Sequence, residues 1–399
     1  MEKVCIVGLG YIGLPTAVIL ASKKYKVTGV DINIEIVEKI NQGITHINEP
    51  KLNEKLLQVI KNSNLKARTK PIFSDIFVIA VPTPYIVGED GIHFPDTSLV
   101  LNAVKSICPF LRKGNLIIIE STCPVGTTEE VSNYIEKNTN IDLKELFISY
   151  CPERVLPGNI LKELIVNDRV IGGLTSHSTI KAENFYKTFC DGKLHLTNSR
   201  TAEMVKLTEN AYRDTNIAFA NEISMVCEKF DIDARKLIEL SNHHPRVNIL
   251  NPGCGVGGHC IAIDPWFIAS QAKDITPLIQ TARKVNLNKT EWVKRQINYI
   301  IKRFKKENAY EPLVGCLGLT FKPDVEDLRE SPALKIVEDL IACKYKLTVA
   351  EPNIQTLKNI KITHYKDVIN KADLIFILVS HKEFKFLKSD NKNIYNFSN

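Results

Sequence analysis

Along the first third of the chain, short apolar runs alternate with longer stretches of mixed polarity. Val4 to Val7 is apolar throughout, "GLGYIGLP" follows, a helix-like stretch runs to about Ser22, and "KVTGVD" ends at Asp31. A short apolar run before a glycine turn and a helical pattern reads as a strand, turn, helix, strand unit. Further strands are predicted at "IFVIAVPTP" (76–84), "NLIIIEST" (115–122) and "LFISYCPE" (146–153), each separated by a segment of helical length. Strands alternating with helices give a parallel, doubly wound sheet. Its ligand lies beyond the carboxyl ends of the strands, where Asp31, Thr83, Thr122 and Glu153 fall.

From about Arg200 the pattern turns helical over "TAEMVKLTENAYRDTNIAFANEISMVCEKF", with a further helix near 276–305. Such a central segment is a natural dimer platform. Beyond about Glu311 the first pattern returns: "KYKLTVAEPN" (344–353) echoes "KYKVTGVDIN" (24–33), and "ADLIFILVSHK" echoes "SDIFVIAVPTP". This internal repeat predicts an α/β protein of two Rossmann-like doubly wound domains joined by a central helical segment, divided as 1–199, 200–306 and 307–399. Glu351 stands near where Asp31 sat, but "GLTFKP" lacks the later glycine of the first turn. The second half is therefore expected to hold a different ligand, with a dinucleotide on the first half and a nucleotide-bearing substrate on the other.

Composition adds constraints rather than a function. With 399 residues, 44% hydrophobic and 24% charged, the chain supports roughly two or three cored domains. Lys plus Arg exceed Asp plus Glu by 52 to 45 and are dispersed, which argues against a nucleic-acid partner. The ten cysteines lie mostly alone, without a CxxC pair or a secretory leader, so a reduced, cytoplasmic protein is expected. No apolar run reaches the roughly 18 residues of a membrane span.

Gly8, Gly10 and Gly13 form GxGxxG directly after a strand and at a helix start. There glycines allow a tight turn and close approach of a pyrophosphate to the helix N-terminus. Asp31, 18 residues beyond Gly13, is placed to accept from ribose hydroxyls and to repel a 2′-phosphate, which favours NAD over NADP. The plainer alternative is a set of turn glycines and a surface aspartate. On the central helix, Lys206, Asn210 and Arg213 share one face by spacing. Solvation of that face is the plain reading, but the apolar remainder of the helix argues burial, and a buried lysine serves as a base or an oxyanion donor.

"NPGCGVGGHCIAIDPW" (251–266) admits four readings. Cys254, His259 and Cys260 supply too few ligands for zinc, so no metal is expected. A phosphate cradle lacks a following Lys-Ser or Lys-Thr. A structural loop with a buried cysteine stays open. Nucleophilic catalysis needs a thiol at a tight, open turn with a carboxylate nearby, and Cys260 followed by Asp264 fits, with His259 structural.

The ordered motifs "GLGYIGLP", "AVPTP", "EST", "PERVLPGN", "EMVKLTENAYRDTNIAFANE", "GVGGHCIAIDP" and "GLTFKPDVEDLRESP" resemble the UDP-sugar and GDP-sugar 6-dehydrogenases along essentially the whole chain. "HHPRVNIL" and "IAIDPWFI" resemble the UDP-N-acetylmannosamine branch more than the UDP-glucose branch. The resemblance implies oxidation of a sugar's primary alcohol to a carboxylate with two NAD and one water. Lys206 and Asp264 then take the hydroxyl proton through a water. Cys260 holds the aldehyde as a thiohemiacetal and afterwards as a thioester, Lys206 and Asn210 stabilise the oxyanion, and Glu153 with Thr122 serves the hydrolytic water.

The same resemblance assigns NAD to Gly8, Gly10, Tyr11, Ile12, Gly13, Asp31, Thr83, Thr122 and Arg329. It assigns the UDP-sugar to Arg154, Val155, Lys206, Asn210, Arg213, His244, Arg246, Gly257 and Lys322. For Lys322 and Arg329 an interdomain salt bridge is the alternative, and for His244 a capped loop. Two departures stand out: Cys254 replaces the family's usual proline, which invites oxidative pairing with Cys260, and "NIYNFSN" lacks the acidic, glycine-ended last strand. UDP-N-acetylglucosamine, UDP-N-acetylgalactosamine and UDP-glucose remain alternative substrates. A two-electron dehydrogenase or a nonenzymatic NAD-binding regulator are the rival classes.

Overall fold

The computed structural model describes every residue except 1, 24, 90, 91, 157, 388–392 and 399; Pro157 of "PERVLPGN" and the final Asn399 lie outside the described residues. The strands are β1 Lys3–Val7, β2 Lys26–Val30, β3 Leu65–Arg68, β4 Ile76–Ile79, β5 Tyr85–Val87, β6 His93–Pro95, β7 Leu116–Ile119, β8 Phe147–Tyr150, β9 Arg169–Gly173, β10 Leu194–Asn198, β11 Val314–Leu317, β12 Leu347–Ala350, β13 Leu374–Ile377 and β14 Ile394–Asn396. The α-helices are α1 Gly13–Ser22, α2 Ile34–Asn41, α3 Leu52–Lys61, α4 Ser98–Ile107, α5 Thr127–Asn138, α6 Ile160–Val166, α7 Ser176–Tyr186, α8 Ser199–Lys229, α9 Ala234–Ser241, α10 Asp264–Gln271, α11 Pro277–Asn308, α12 Pro332–Ala342 and α13 Tyr365–Lys371. The chain forms two compact units, Met1–Glu209 and Asn210–Asn399, with the boundary inside α8.

In the first unit the sheet order is β10-β9-β8-β7-β4-β1-β2-β3. From β3 to β8 every pair is parallel, as the alternation of strands and helices requires. Three strands the apolar pattern does not mark extend the sheet: β3 is parallel to β2 at one edge, and at the other β9 pairs antiparallel with β8 and β10 is parallel to β9. Successive residues of β1 feed different cores, Val4 and Ile6 on one face and Cys5 and Val7 on the other. Burial on both faces is why these strands read as continuous apolar runs.

The second unit carries the parallel sheet β12-β11-β13-β14. Its strands alternate in the same way, Val314 and Cys316 facing a core that takes in Val293, Ile297 and Ile301 of α11, Leu317 facing the other. The last strand is present but short, Ile394–Asn396 pairing with Ile375–Ile377 of β13. The internal repeat holds in detail. Gly8 N–H donates to Val30 O at 2.8 Å and Gly318 N–H to Ala350 O at 2.9 Å, and both glycines have positive φ, 96° and 89°. Among the described residues no helix is long and apolar enough to cross a membrane.

Candidate active site

The glycine turn at the end of β1 separates three tasks. A Cβ on Gly8 would lie 2.5 Å from Ala80 O, and one on Gly13 would lie 1.8 Å from Gly8 O, whereas one on Gly10 would meet nothing within 4 Å. Gly8 and Gly13 are thus demanded by the fold, and Gly10 by something outside it. α1 begins here with no side-chain cap and no acidic residue in its first turn, which leaves its N-terminal amides and the positive end of its dipole available to an anion. Asp31, half-buried beyond β2, accepts from Leu9 N–H at 3.1 Å and from Asn33 N–H at 2.9 Å. Its carboxylate is therefore turned to the glycine turn. Thr83 is buried, its hydroxyl finding no oxygen or nitrogen partner and having the Cys123 thiol beside it. An open glycine, an uncapped helix start, an oriented carboxylate and an orphaned hydroxyl are a donor and acceptor set that fits NAD. Tyr11 is exposed, Ile12 and Thr122 are half-exposed.

At the ends of β8 and α8 the polar groups interlock. Lys206 is half-buried rather than buried, and its Nζ donates to the main-chain oxygen of Glu153 at 2.8 Å. The Glu153 carboxylate points inward: Oε1 accepts from Arg154 N–H at 2.7 Å and Oε2 pairs with Arg169 at 3.0 Å. Arg154 in turn binds Glu209 at 2.6 Å and the carbonyl of Asp168, and Val155 is half-buried beside it. The polar face of α8 is thus buried only in part, because Arg213 is exposed whereas Asn210 is buried.

In the second unit the amide of Asn210 and the carboxylate of Asp264 meet, and the residue of the expected thiol stands on the turn before them. Asn210 Nδ2 donates to Asp264 Oδ2 at 2.6 Å, with both residues buried. The carbonyl of Cys260 accepts from the amides of Ile263 and Asp264 at 3.0 and 2.8 Å, so the cysteine sits on a tight turn that leads into α10, and it is exposed. His259 is half-buried; burial lowers its pKa, with Arg329 adding to the effect. The glycines of this loop clear protein more than ligand. A Cβ on Gly257 would lie 2.5 Å from Glu330 O and 2.8 Å from Pro332, and one on Gly258 would lie 2.8 Å from the Phe321 ring. Gly258 N–H is bound by Arg329 O at 2.9 Å. The Arg329 side chain pairs with Asp327 at 2.6 Å, a local ion pair. Lys322, half-buried, lines a small open pocket with Thr320, Phe321, Ser380 and Cys254.

Cys254 is a core residue: it is 6% exposed, its thiol donates to Leu378 O at 3.4 Å and Phe397 O at 3.5 Å, and burial pushes its pKa up to about 12. The thiolate needed for disulfide exchange is scarce there. His244 and Arg246 are exposed, and His244 Nδ1 accepts from Arg246 N–H at 3.3 Å, the capped-loop arrangement.

Several supporting groups escaped the sequence reading. Asn221 Oδ1 accepts from Gly253 N–H at 2.8 Å, Asn286 bonds Asn221 and Asp214, and the Thr290 hydroxyl holds the carbonyl of Cys254 at 2.8 Å. Their signal was a polar stripe at helical spacing, 214 and 221 on α8 and 283, 286 and 290 on α11. Buried Glu203 caps α5, taking the amides of Gly126 and Thr128 at 2.7 and 2.8 Å, and Glu49 does the same for α6 through Gly158 and Ile160, both at 2.8 Å. Such caps come from far along the chain, so no local motif announces them.

The chain matches three segments of one family. These are the NAD binding domain of the UDP-glucose/GDP-mannose dehydrogenase family over residues 2–190, its central domain over 200–288 and its UDP binding domain over 315–397. It is 48% identical to the UDP-N-acetyl-D-mannosamine dehydrogenase of Campylobacter jejuni, covering 98% of each chain. To an NDP-N-acetyl-D-galactosaminuronic acid dehydrogenase of Ralstonia nicotianae it is 43% identical, over 98% of this chain and 93% of that one. In three dimensions it resembles the UDP-N-acetyl-mannosamine dehydrogenase of Staphylococcus aureus with a TM-score of 0.87 and 41% identity, over 99% and 94% of the two chains.

Proposed function

Because this chain belongs to the UDP-glucose/GDP-mannose dehydrogenase family, we propose that it oxidises UDP-N-acetyl-D-mannosamine at C6 to the uronate, consuming two NAD and one water. Similarity to the Campylobacter jejuni enzyme over 98% of both chains supports the substrate. The observation that carries the chemistry is the exposed Cys260 on a turn closed by Asp264, itself bonded to Asn210 at 2.6 Å. A simple alcohol dehydrogenase has no use for such a thiol.

NAD, when bound, accepts a hydride from C6 in each of the two oxidations. Gly10, the start of α1 and Asp31 hold its pyrophosphate and ribose, with Ile12, Thr83, Thr122 and Arg329 completing the assignment. Lys206 and Asp264 take the proton of the C6 hydroxyl through a bridging water. The Cys260 sulfur adds to the aldehyde carbon, and this thiohemiacetal keeps the aldehyde from escaping. Lys206 and Asn210 donate to the developing oxyanion. After the second oxidation the sugar is a thioester on Cys260. Water replaces sulfur there, served by Glu153 and Thr122. Arg213 and Arg246 offer fork-shaped donors to the diphosphate or a sugar oxygen, with Arg154, Val155, His244, Gly257 and Lys322 lining the remainder.

The division of labour follows 1–199 for NAD, 200–306 for the helical connector and catalytic loop, and 307–399 for the UDP-sugar. Tyr212, Phe219 and Val226, seven residues apart on α8 and 68%, 51% and 43% exposed, support self-association through this helix. A reduced, cytoplasmic enzyme supplying a uronate for surface polysaccharide completes the reading.

A panel of UDP-sugars with NADH readout tests it. Two NADH per UDP-N-acetylmannosamine with uronate as product is the expected result. Turnover of UDP-glucose or of a UDP-N-acetylhexosamine epimer in its place overturns the substrate, and one NADH with free aldehyde overturns the mechanism.

A further inference from the structure

Arg169 opens β9 and is 3% exposed, a guanidinium that the fold keeps only because its surroundings answer it. Its Nη2 donates to Glu153 Oε2 at 3.0 Å and to Leu164 O at 3.3 Å, and its Nη1 lies 3.9 Å from Cys151 Sγ. The ring of Tyr186 lies 4.8 Å beneath it. Glu153 is thereby held from two sides, since its other oxygen accepts from Arg154 N–H at 2.7 Å. The main-chain oxygen of the same residue receives Lys206 Nζ at 2.8 Å. One buried ion pair therefore fixes the Glu153 carboxylate, whereas Lys206 is tied to the main chain of that residue and not to its side chain.

A second acid belongs to the same cluster. Glu120, 4% exposed, accepts from the Tyr186 hydroxyl at 2.7 Å through Oε1, while Oε2 has no hydrogen-bond partner among the described residues. Burial pushes its pKa up to about 7, Arg169 pulling it back and Glu153 adding to the rise. The groups facing it are Arg169 from β9, Glu153 from beyond β8, Tyr186 from α7 and the thiol of Cys151, itself pushed up to about 12 by burial. With Glu120 protonated, the cluster holds one cation and one anion. Once Glu120 loses its proton to solvent, two anions compete for one guanidinium.

We propose that Arg169 is a positioning residue for hydrolysis of the Cys260 thioester, orienting Glu153, and that the buried acid Glu120, bonded to the same Tyr186 whose ring lies beneath Arg169, sets how firmly Arg169 is committed to Glu153. The inference rests on the reading that Glu153 serves the hydrolytic water. In that step the water oxygen bonds to the carbonyl carbon, the C–S bond breaks, sulfur leaves as the Cys260 thiolate or takes a proton, and the acid is released as carboxylate. No electron carrier takes part.

The test is pre-steady-state NADH formation with mass analysis of the full-length enzyme, comparing wild type with Arg169→Lys, Arg169→Met, Glu120→Gln and Glu153→Gln. Arg169→Met is expected to keep the NADH burst, accumulate acyl-enzyme and slow steady turnover on the order of 100-fold, with Arg169→Lys partly restoring it. The rate of Glu120→Gln relative to wild type is expected to rise as pH passes about 7. Equal loss of burst and steady rate in both arginine variants marks a merely structural residue and overturns the proposal, as does a flat rate ratio for Glu120→Gln. If Glu153→Gln hydrolyses the acyl-enzyme at the wild-type rate, the reading of Glu153 itself falls. If Glu153→Gln is slow while the arginine variants are not, only the role of Arg169 falls.

Discussion

Gly10 and Gly13 stand in one turn and answer to different constraints, so alanine at each position separates cofactor binding from folding. At Gly13 an added Cβ falls 1.8 Å from Gly8 O, against an ordinary C···O contact of about 3.3 Å. The turn must open by more than an ångström, beneath a helix whose residues Gly13–Ala21 are all buried. Overpacking of this kind costs about 1–3 kcal/mol, or a melting temperature lower by roughly 3–10 °C for a domain of this size. At Gly10 the same methyl meets no protein atom within 4 Å, and φ is not left-handed. Restricting the unfolded chain then leaves Gly10→Ala as stable as wild type or more so by about 0.4–1 kcal/mol. Its methyl occupies the space through which a pyrophosphate reaches the amides of α1, so the Kd for NAD is expected to rise at least about tenfold, roughly 1.4 kcal/mol. Thermal unfolding without cofactor and calorimetric titration with NAD read the two effects separately. Wild-type NAD affinity in Gly10→Ala, or destabilisation of Gly10→Ala equal to that of Gly13→Ala, refutes the reasoning.

Cys260→Ser is expected to bind NAD normally and to form no uronate, as mass spectrometry of the products would reveal; acid formation by this variant removes the thioester from the mechanism. Native alkylation should label exposed Cys260 and Cys343 and spare Cys254 until the protein unfolds, and peroxide should leave Cys254 reduced; a Cys254–Cys260 disulfide in peptide maps would contradict its place in the core. Lys289, 4% exposed and bonded to Ser224 at 2.7 Å, has its pKa lowered by burial from 10.5 to about 8. Below pH 8 both states carry the charge and the folded one bears its desolvation. As pH rises from about 8 to 10.5 the native amine is neutral while the unfolded chain still binds a proton, so stability relative to Lys289→Met rises, by at most on the order of 3 kcal/mol. A difference between the two proteins that stays flat across that interval in denaturant titrations counts against the assignment.

The parts of the fold legible in the chain were those whose cause is local. β1, β4, β7 and β8 are continuous apolar runs because both faces of the sheet are covered, and Gly8 to Gly13 announce the turn by glycine spacing. β9 was not legible, since "DRVIGG" begins with a charge and ends with two glycines. The charge proves buried because Glu153 and Tyr186 meet it, and a Cβ on Gly172 would lie 2.2 Å from Asn198 O. In the loop 251–266 the spacing of Cys260 and Asp264 was visible, but what holds the loop was not. Asn221, Thr290 and Phe321 reach it from 30 or more residues away along the chain, and a single sequence carries no mark of such pairings. The expectation of a buried Lys206 failed for a related reason, because helix periodicity gives a face and not the depth of each position on it.

The two halves of the internal repeat begin alike and diverge at one residue. After β1 and after β11 the second residue of the turn donates to the acid that ends the next strand, Leu9 N–H to Asp31 at 3.1 Å and Leu319 N–H to Glu351 at 2.7 Å. The third residue is Gly10 in the first half and Thr320 in the second, where the hydroxyl folds back to Lys322 O at 2.9 Å. Glu351 is then closed off by the protein itself: Asn353 N–H occupies Oε1 at 2.9 Å and His381 Nε2 meets Oε2 at 3.0 Å. His381 Nδ1 accepts from Asp324 N–H and Asn353 Nδ2, both at 3.0 Å, which puts the ring proton on Nε2, facing the carboxylate. Asp31 keeps an accessible edge, and the histidine that feels its charge, His46, bonds the main chain of Leu9. Fold and strand-end acid are shared, yet the second turn has filled with side chains the space a dinucleotide would need. In the function proposed above, a nucleotide held by this half is met by Lys322 and the groups of the pocket beside it, not by the acid that the repeat has retained.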